Sequence, residues 1–245
     1  MPVVLLPPGL RGLAEQRLIA PIASVGVVIP VYQGADTLPG LLEALFAQDY
    51  EGSMDILALD SGSTDGSLGI LAGTPVRVRR IPKASFDHGD TRNLGASQTR
   101  GEIIVFLTQD AEPASSDWLR TLVDHFKDPR VAGAYCRNQA RPGARPLTLR
   151  DHTGDPGYDL EGRTQQLEPG QDLQGMEPTA RRILCNFNNV ASALRRTDWE
   201  RLPFPAGAFG EDVRWAYGVL AGGRSVVYAA DAPVFHSHKW RPRDE

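Results

Sequence analysis

The sequence predicts an α/β protein with one mostly parallel mixed sheet flanked by helices. Short apolar runs rich in Val, Ile and Leu recur along the first half of the chain, as at 25–31 and 103–107. Such runs are typical of strands that are buried on both faces. Helical patterns separate them, and strands that alternate with helices form βαβ units. A chain of 245 residues is long enough for one large domain with a sizeable core.

The elements follow one another regularly as far as residue 136. A helix over 35–47 places its leucines on one face, and Ser63 or Thr64 can cap the helix after the second strand. Strands are predicted at 25–31, 54–59, 76–81, 103–107 and 131–136. Helices are predicted between them at 35–47, 65–72, 87–99 and 118–126. We expect the 103–107 strand to be central, because it is apolar at every position.

The second half of the chain is less regular. Residues from about 137 to 178 are rich in Arg, Gly, Pro, Gln and acids and show little periodicity, which predicts an irregular insertion. A segment of this length inside a domain is usually functional or disordered, and we interpret it as a lid or an acceptor-site loop. A strand within 186–196, a helix at 211–221 and a strand at 225–228 follow. Residues 1–23 are predicted to be an N-terminal arm and 239–245 a tail.

The composition limits the classes of function. The net charge is −4, so we expect no nucleic-acid partner. The two cysteines, Cys136 and Cys185, lie far apart without a CxxC pattern, which favours buried thiols in a reduced, cytoplasmic compartment. No run of 18 apolar residues predicts a transmembrane segment, and the proline-broken start is a poor signal peptide. We expect a cytoplasmic protein that reaches any membrane-linked substrate from the inner face.

Polar residues begin abruptly where the predicted central strand ends, at Thr108, Gln109 and Asp110. In open α/β sheets, ligands bind in the crevice beyond the carboxyl ends of the strands. A carboxylate in that position suits a metal ion or a metal-bound phosphate. The other interpretation is that Asp110 caps the helix that begins near 115–117.

The second strand also ends in an acid, Asp60, which precedes the small polar run SGSTDGS. A carboxylate there can accept hydrogen bonds from a base or a ribose hydroxyl, so we predict that Asp60 binds the nucleoside. Asp65 lies in the first turn of the next helix, where the helix dipole stabilises an acid. We therefore interpret Asp65 as structural.

The run FDHGDTRNLGAS places His88 and Arg92 four residues apart, on one face of a helix. The planar guanidinium of Arg92 is suited to clamp a diphosphate. His88 lies in a polar cluster and is a second candidate for the same ligand.

Two late segments carry further candidates. Glu211 and Asp212 open a helix on which Trp215 points inward, and two adjacent acids point in different directions. One acid can hold the backbone while the other serves as a general base. His236 and His238 alternate on an extended segment, so their side chains share a face and either could bind Mn²⁺ or a similar ion. A solvent-exposed polar face is the alternative interpretation of the two histidines.

Six segments occur in the order found in the family 2 glycosyltransferases with the GT-A fold, and the chain resembles that family over about residues 24–238. The segments are VVIPVYQGADTL, LALDSGSTDGS, FDHGDTRNLGAS, VFLTQDAEP, NFNNVASALRR and GEDVRWAYGVLAGG. The forms FDHG, TRN and FLTQDA resemble most the rhamnosyltransferase-type bacterial members. The resemblance implies a GT-A domain at 24–238, with a nucleotide-sugar-binding half at 24–136 and an acceptor half at 137–238.

The resemblance also implies roles for residues. Asp212 corresponds to the catalytic base of the family's ED motif, and Asp110 to the last acid of its DxD metal motif. Thr108 stands at the first acid of DxD in this chain. Metal ligands are then expected at Asp110, His236 and His238, and acceptor-side residues at Glu211 and Trp215. Nucleotide-sugar contacts are expected at Pro30, Val31, Tyr32, Asp60, His88, Arg92, Gln109 and Asp110.

The implied activity is inverting transfer of a sugar, rhamnose being one candidate, onto a hydroxyl of a glycan or lipid-linked acceptor. The donor would be a dTDP-, UDP- or GDP-sugar, and the cofactor a divalent metal, Mn²⁺ or Mg²⁺. A nucleotidyltransferase and a non-catalytic nucleotide-sugar-binding protein are the two alternatives. The first is disfavoured because the first strand ends in PVYQGAD, without a Gly-rich phosphate loop.

Overall fold

The computed structural model describes residues 23–142, 159–207 and 209–236. In these ranges the chain forms one nine-stranded mixed sheet. The strands are β1 (Val25–Val31), β2 (Met54–Asp60), β3 (Arg77–Arg80), β4 (Ile103–Leu107), β5 (Glu112–Pro113), β6 (Val131–Gln139), β7 (Arg163–Gln165), β8 (Ala191–Arg195) and β9 (Ser225–Phe235). The α-helices are α1 (Leu38–Phe46), α2 (Ser67–Ala72), α3 (His88–Gln98), α4 (Trp118–Asp124), α5 (Pro178–Leu184), α6 (Arg196–Arg201) and α7 (Glu211–Ala221). Short 3₁₀ turns lie at Lys83–Ser85 and His125–Lys127.

The sheet confirms the predicted mostly parallel mixed arrangement. Its strand order is β3-β2-β1-β4-β8-β6-β9-β5, with β7 paired to β9. The first four strands are mutually parallel, and β9 is parallel to β6. Strand β8 is antiparallel to both β4 and β6, while β5 and β7 are antiparallel to β9. The carboxyl ends of β1, β2 and β4 therefore lie at one edge, where a ligand crevice is expected.

Alternate residues of the central strands enter two separate hydrophobic layers, as the pleat of a strand requires. Val27 and Val105 belong to the layer that contains Trp118 of α4. Val28 and Phe106 belong to the opposite layer, which contains Trp215 of α7. Helices thus cover both faces of the sheet. The predicted central strand β4 is buried at all five positions.

The predicted irregular insertion at about 137–178 contains two pieces of regular structure that its sequence did not indicate. Strand β6 continues through Gln139, and β7 lies inside the predicted insertion. Strand β7 is a short polar edge strand, so its sequence lacks the apolar periodicity that indicates a strand. Arg163 places its guanidinium over the Tyr228 ring at 4.6 Å and donates to the Tyr135 hydroxyl. Residues 143–158 lie outside the described part of the chain.

The structure also describes the two cysteines and the end of the last strand, whereas most of the predicted terminal segments lie outside it. Both cysteines are buried free thiols, which confirms their predicted burial. Strand β9 extends to Phe235, beyond the predicted end at 228, because it pairs with β5 as well as β6. Most of the predicted N-terminal arm, together with His238 and the tail, lies outside the described residues. Among the described helices, none has the length and apolarity to cross a membrane.

Candidate active site

The loops that follow β1 and β2 are joined by hydrogen bonds at the carboxyl edge of the sheet. The Gln33 side-chain oxygen accepts from the Thr64 amide at 2.7 Å. The Asp65 carboxylate accepts from the Ala35 amide at 2.9 Å and from the Ser67 hydroxyl at 2.6 Å. The bond from Ser67 is the main cause that lowers the pKa of Asp65. Asp65 therefore has the structural role that the sequence predicts.

Asp60 is also structural, which corrects the predicted contact between its carboxylate and a nucleoside. Its side chain is 0% exposed. The carboxylate accepts from the backbone amides of Gly62 at 3.1 Å and Ser63 at 3.2 Å. Because the carboxylate is used within its own turn, Asp60 shapes the loop and is not accessible to a ligand.

Pro30 and Val31 end β1 and Tyr32 directly follows it, where the sequence predicts the nucleoside pocket. The Val31 side chain is buried in the core, so only its backbone can face a ligand. Tyr32 is exposed, and its hydroxyl accepts from the Lys83 ammonium at 2.6 Å. Sequence reasoning missed Lys83, whose amine also lies 4.4 Å from the centre of the Tyr32 ring. An aromatic ring with a cation beside it is suited to an anionic nucleotide.

Gln109 connects the end of β4 to the end of β1. Its side-chain oxygen accepts from the Tyr32 amide at 2.8 Å, and its side-chain nitrogen donates to the Tyr32 carbonyl at 2.9 Å. The oxygen and the nitrogen of the Gln109 amide are thus both hydrogen-bonded to the backbone of Tyr32. The structure gives Gln109 a positioning role in place of the predicted direct contact.

Asp110 and His236 lie together, as predicted for two ligands of one metal ion. The His236 Nε2 atom is 3.5 Å from an Asp110 carboxylate oxygen, and both side chains are mostly buried. Their approach follows from the sheet, since Glu112 of β5 is paired with Phe235 of β9. The Asp110 backbone carbonyl accepts from Arg141 at 2.8 Å. Asp110 therefore faces His236, and the alternative role as a helix cap is wrong, since α4 begins at Trp118 and has no side-chain cap.

Arg92 and Glu211 form a buried ion pair, which corrects the predicted roles of both. Their charged atoms are 3.2 Å apart, and each side chain is 7% exposed. Arg92 also donates to the carbonyls of His88 and Asn189. The Arg92 guanidinium is bound by protein groups in the interior, so it does not clamp a diphosphate. Glu211 is buried in the same ion pair and does not face an acceptor.

Asn189 is a residue that sequence reasoning missed. Its side-chain nitrogen donates to Glu211 at 3.2 Å, and its side-chain oxygen accepts from Ser192 at 2.8 Å. The backbone of Asn189 also lies close enough to the Asp212 carboxylate to lower its pKa slightly. The sequence feature that could have indicated Asn189 is the run NFNN, in which three asparagines precede the apolar strand β8.

Asp212 is the acid of this cluster whose electrostatics suit a base. It lies in the first turn of α7, next to Glu211, and accepts from the Val213 amide at 2.7 Å. Burial raises the pKa of the Asp212 carboxyl, and the Glu211 charge raises it further. Amide hydrogen bonds and the positive charge of Arg92 act in the opposite direction. A carboxylate with a raised pKa accepts a proton more readily than an ordinary one.

Trp215 belongs to the core, so its predicted acceptor contact is wrong. The side chain is 0% exposed, and its indole nitrogen donates to the Leu202 carbonyl at 2.8 Å. Its ring packs so closely on β6 that a side chain at Gly133 would lie 2.7 Å from it. Trp215 therefore fixes α7, and with it Asp212, against the sheet.

His88 lies in an aromatic cluster at the start of α3. Its ring centre is 5.0 Å from that of Phe86 and 5.9 Å from that of Phe209, which is 84% exposed. The preceding residue, Asp87, caps α3 by accepting from the Gly89 and Asp90 amides. Phe209 of this cluster directly precedes Gly210, the residue that caps the start of α7. His88 is therefore placed near the start of the Asp212 helix.

Comparison with known proteins identifies the relatives of this chain. A profile of "Glycosyl transferase family 2" matches residues 26–188. The O-antigen chain rhamnosyltransferase RfbN of Salmonella typhimurium is 30% identical over 225 residues, which cover 90% of this chain and 68% of RfbN. The O-antigen chain rhamnosyltransferase WbaN of Salmonella anatum is 28% identical, with 91% of this chain and 69% of WbaN covered.

Solved structures share the fold. The mannosyltransferase PcManGT from Pyrobaculum calidifontis, in complex with GDP-Man and Mn²⁺, superimposes with a TM-score of 0.63 at 20% identity over 88% of this chain. S. aureus TarS 1–349 in complex with UDP-GlcNAc gives 0.62 at 15% identity over 90% of this chain. This chain spans 57% and 60% of the lengths of those two chains. The likeness confirms the predicted GT-A fold.

The family profile spans more than half of this chain, and the relatives extend the match through its second half. The motif order predicted the same assignment. The protein belongs to glycosyl transferase family 2.

Proposed function

We propose that this protein is an inverting glycosyltransferase, which moves a sugar from a nucleotide-diphosphate donor to a hydroxyl of a glycan or lipid-linked acceptor. The observation that carries the proposal is the 3.5 Å approach of His236 to Asp110 at the carboxyl edge of the sheet. These are two residues predicted to bind one metal ion, and the fold brings them together from distant segments. The exposed Tyr32 directly follows neighbouring β1, and its hydroxyl accepts from Lys83 of the turn after β3, so a nucleotide could be held there.

The donor atoms of this pair fit a divalent cation. A carboxylate oxygen and an imidazole nitrogen suit Mn²⁺, and a Mg²⁺ ion in a phosphate site commonly has one or two protein carboxylates. In the ranges that the structure describes, no cluster of three or more His, Cys, Asp or Glu side chains could hold an ion. Substrate phosphates, water and the third predicted ligand, His238, would complete the coordination. When bound, the cation neutralises negative charge on the departing nucleoside diphosphate.

Asp212 is the proposed general base. It removes the proton from the acceptor hydroxyl as that oxygen forms a bond to the anomeric carbon of the donor sugar. The bond from that carbon to the diphosphate oxygen breaks, and its electron pair leaves with the nucleoside diphosphate. Attack from the face opposite the leaving group inverts the configuration. Alignment of both substrates by the protein removes several kcal/mol, roughly, from the barrier.

Rhamnose is the first donor sugar to test, because RfbN and WbaN are named rhamnosyltransferases. The nucleotide is open to experiment, since the structures with a similar fold contain GDP-Man and UDP-GlcNAc. A direct comparison of the three nucleotides decides among them.

The experiment is a thermal-shift series with dTDP, UDP and GDP, each with and without Mn²⁺. A ligand that binds only the folded state raises stability by RT ln(1 + [L]/Kd). We expect one nucleotide to raise Tm more than the others, and the rise to be larger with Mn²⁺. The matching rhamnose donor and a candidate acceptor should then yield a glycosylated product. Absence of a shift with all three nucleotides in the presence of metal would overturn the proposal.

A further inference from the structure

Arg141 connects two strands that are not neighbours in the sheet. It follows β6, which ends at Gln139. One nitrogen of its guanidinium donates to the Glu112 carboxylate of β5, and another donates to the Asp110 backbone carbonyl at 2.8 Å. Strand β9 lies between β6 and β5 in the sheet. The Arg141 side chain therefore spans the end of β9.

This contact requires a long side chain with donors that point in fixed directions. Neighbouring strands lie about 4.8 Å apart, so β6 and β5 are separated by about 10 Å. Arginine has the length, and its planar guanidinium holds several N–H donors in a fixed fork. One residue can thus bind a carboxylate and a carbonyl at the same time. Lysine has a similar length but lacks the fork.

Glu112 is a firm anchor for this arginine. Its backbone is paired with Phe235 of β9. Its carboxylate packs against α1, since a Cβ atom at Gly40 would lie 3.0 Å from a carboxylate oxygen of Glu112. The side chains of Glu112 and Arg141 are each 29% exposed. A strand and a helix therefore hold the acid to which Arg141 is bound.

The same segment after β6 also holds His236. The Gln139 carbonyl accepts from the His236 amide at 2.8 Å. Arg141, two residues further on, holds the Asp110 carbonyl. The two contacts fix the backbones of the two residues whose side chains approach to 3.5 Å. The end of β6 is thus a common support for both members of the pair.

We propose that Arg141 is a positioning residue, which fixes Asp110 opposite His236 and so prepares the pair for a divalent cation. The inference rests on the proposed function and adds to it a residue that acts through Asp110. Arg141 has only N–H donors and does not bind a cation itself. Its pairing with Glu112 offsets its positive charge beside the site.

Position and charge predict opposite effects when Arg141 is replaced. Removal of a group that orients a metal ligand lowers metal affinity about 10- to 100-fold. Loss of a positive charge near the site would by itself strengthen the binding of a cation. The sign of the change therefore separates the two explanations.

The test makes two measurements on Arg141→Gln. Hydrogen–deuterium exchange of residues 108–113 is followed without any ligand. Calorimetry then gives the affinities for dTDP, UDP and GDP, each with and without Mn²⁺. Arg141→Lys keeps the charge and the length, and Tm checks that each variant folds. Arg224→Gln is the matched control, because Arg224 is 28% exposed, pairs with Asp198 and lies at the opposite end of β9.

We expect faster exchange of residues 108–113 in Arg141→Gln, because the Asp110 peptide loses a restraint. The gain in nucleotide affinity that Mn²⁺ gives the wild type should fall by about tenfold or more, while affinity without Mn²⁺ changes less than about twofold. Arg141→Lys should lose less of the gain. Arg224→Gln should match the wild type in both measurements.

Unchanged exchange in Arg141→Gln, or a gain from Mn²⁺ equal to or above that of the wild type, would overturn the positioning role. That result would leave the proposed function intact, because the wild type would still bind nucleotide with Mn²⁺. A wild type whose nucleotide affinity did not respond to Mn²⁺ would overturn both the proposed metal site and the role of Arg141.

Discussion

The Nε2 atom of His236 lies 3.5 Å from the Oδ2 atom of Asp110, although the two residues come from opposite halves of the chain. Pairing of β5 with β9 sets this distance, since Glu112 is opposite Phe235. Asp110 thereby lies beside a histidine in a chain whose TQD sequence has one carboxylate where the family motif has two. Under the proposed function, this histidine would supply a second metal ligand beside the single carboxylate.

We expect Asp110→Ala and His236→Ala to remove the Mn²⁺-dependent part of nucleotide binding. Loss of one protein ligand should weaken metal-dependent affinity by at least about tenfold, the size of effect found when metal-site partners are removed. Calorimetric titration of nucleotide with and without Mn²⁺ measures the effect.

The matched control for this pair is His125→Ala. His125 lies 3.0 Å from Asp231 in a second histidine–aspartate pair on the surface. Its removal should leave Mn²⁺-dependent nucleotide binding unchanged. If His236→Ala bound nucleotide and Mn²⁺ as the wild type does, His236 would not be a metal ligand.

The buried Arg92–Glu211 pair should dominate the local stability around α3 and α7. Glu211→Gln leaves the Arg92 charge in the interior, and loss of one partner of a buried pair costs about 3–5 kcal/mol. The double variant Arg92→Met/Glu211→Leu removes both charges and should lie within about 2 kcal/mol of the wild type. Urea unfolding gives the free energies of unfolding.

Lys127→Gln provides the surface comparison for this double-mutant cycle. Lys127 pairs with Asp124, and both side chains are more than half exposed. Its substitution should cost less than about 1 kcal/mol. If Arg92→Met/Glu211→Leu lost the sum of the losses of Arg92→Met and Glu211→Leu measured singly, the pair would not be coupled.

Gln109→Ala should loosen the nucleotide site without unfolding the protein. The substitution removes the two hydrogen bonds that hold Tyr32 to the end of β4. A net loss of about 1 kcal/mol in binding corresponds to roughly a fivefold higher nucleotide Kd. The exposed Gln174→Ala is the control and should leave Kd unchanged. An unchanged Kd for Gln109→Ala would mean that Tyr32 needs no such support.

Asp212→Asn should make the protein more stable at neutral pH. Burial and the Glu211 charge raise the pKa of Asp212 in the folded state, so the ionised carboxylate destabilises the fold. This destabilisation is absent below the unfolded pKa of about 3.9 and develops as pH rises through the raised folded value. The Tm of Asp212→Asn should therefore exceed that of the wild type at pH 7, with the difference shrinking toward pH 4.

The exposed Glu200→Gln serves as the comparison for that pH series. It should change Tm little at either pH. A Tm advantage for Asp212→Asn that was equal at pH 7 and pH 4 would contradict an origin in the carboxylate charge.

Sequence patterns predicted the order of the elements and the site's place at the carboxyl edge, because apolar runs and polar strand ends are local features. They also selected Asp110 and His236 as metal-ligand candidates, which the fold brings within 3.5 Å of each other. The predicted ligand contacts of Asp60, Arg92 and Trp215 are wrong, because these side chains are buried. Burial depends on which segments pack together. The guanidinium of Arg92, for example, is buried because it hydrogen-bonds to Glu211 and Asn189 from distant segments. A linear pattern does not contain that information.

The same limit explains the missed strand β7 and a missed groove. Strand β7 is polar and is held by backbone pairing to β9, which leaves no hydrophobic period in its sequence. A groove between α5 and α7 is lined by arginines that lie more than thirty residues apart in the sequence, as Arg181 and Arg214 do. Only the folded chain brings such residues to one surface.

The most direct test of the account is the turnover of Asp212→Asn with the nucleotide sugar and acceptor that the wild type uses. Asn keeps the shape of the side chain and can accept the Val213 hydrogen bond, but it cannot take a proton from the acceptor. We expect transfer to fall by a factor of about 10² or more while the donor Kd changes less than about twofold. Near-normal turnover by this variant would contradict the assignment of Asp212 as the base.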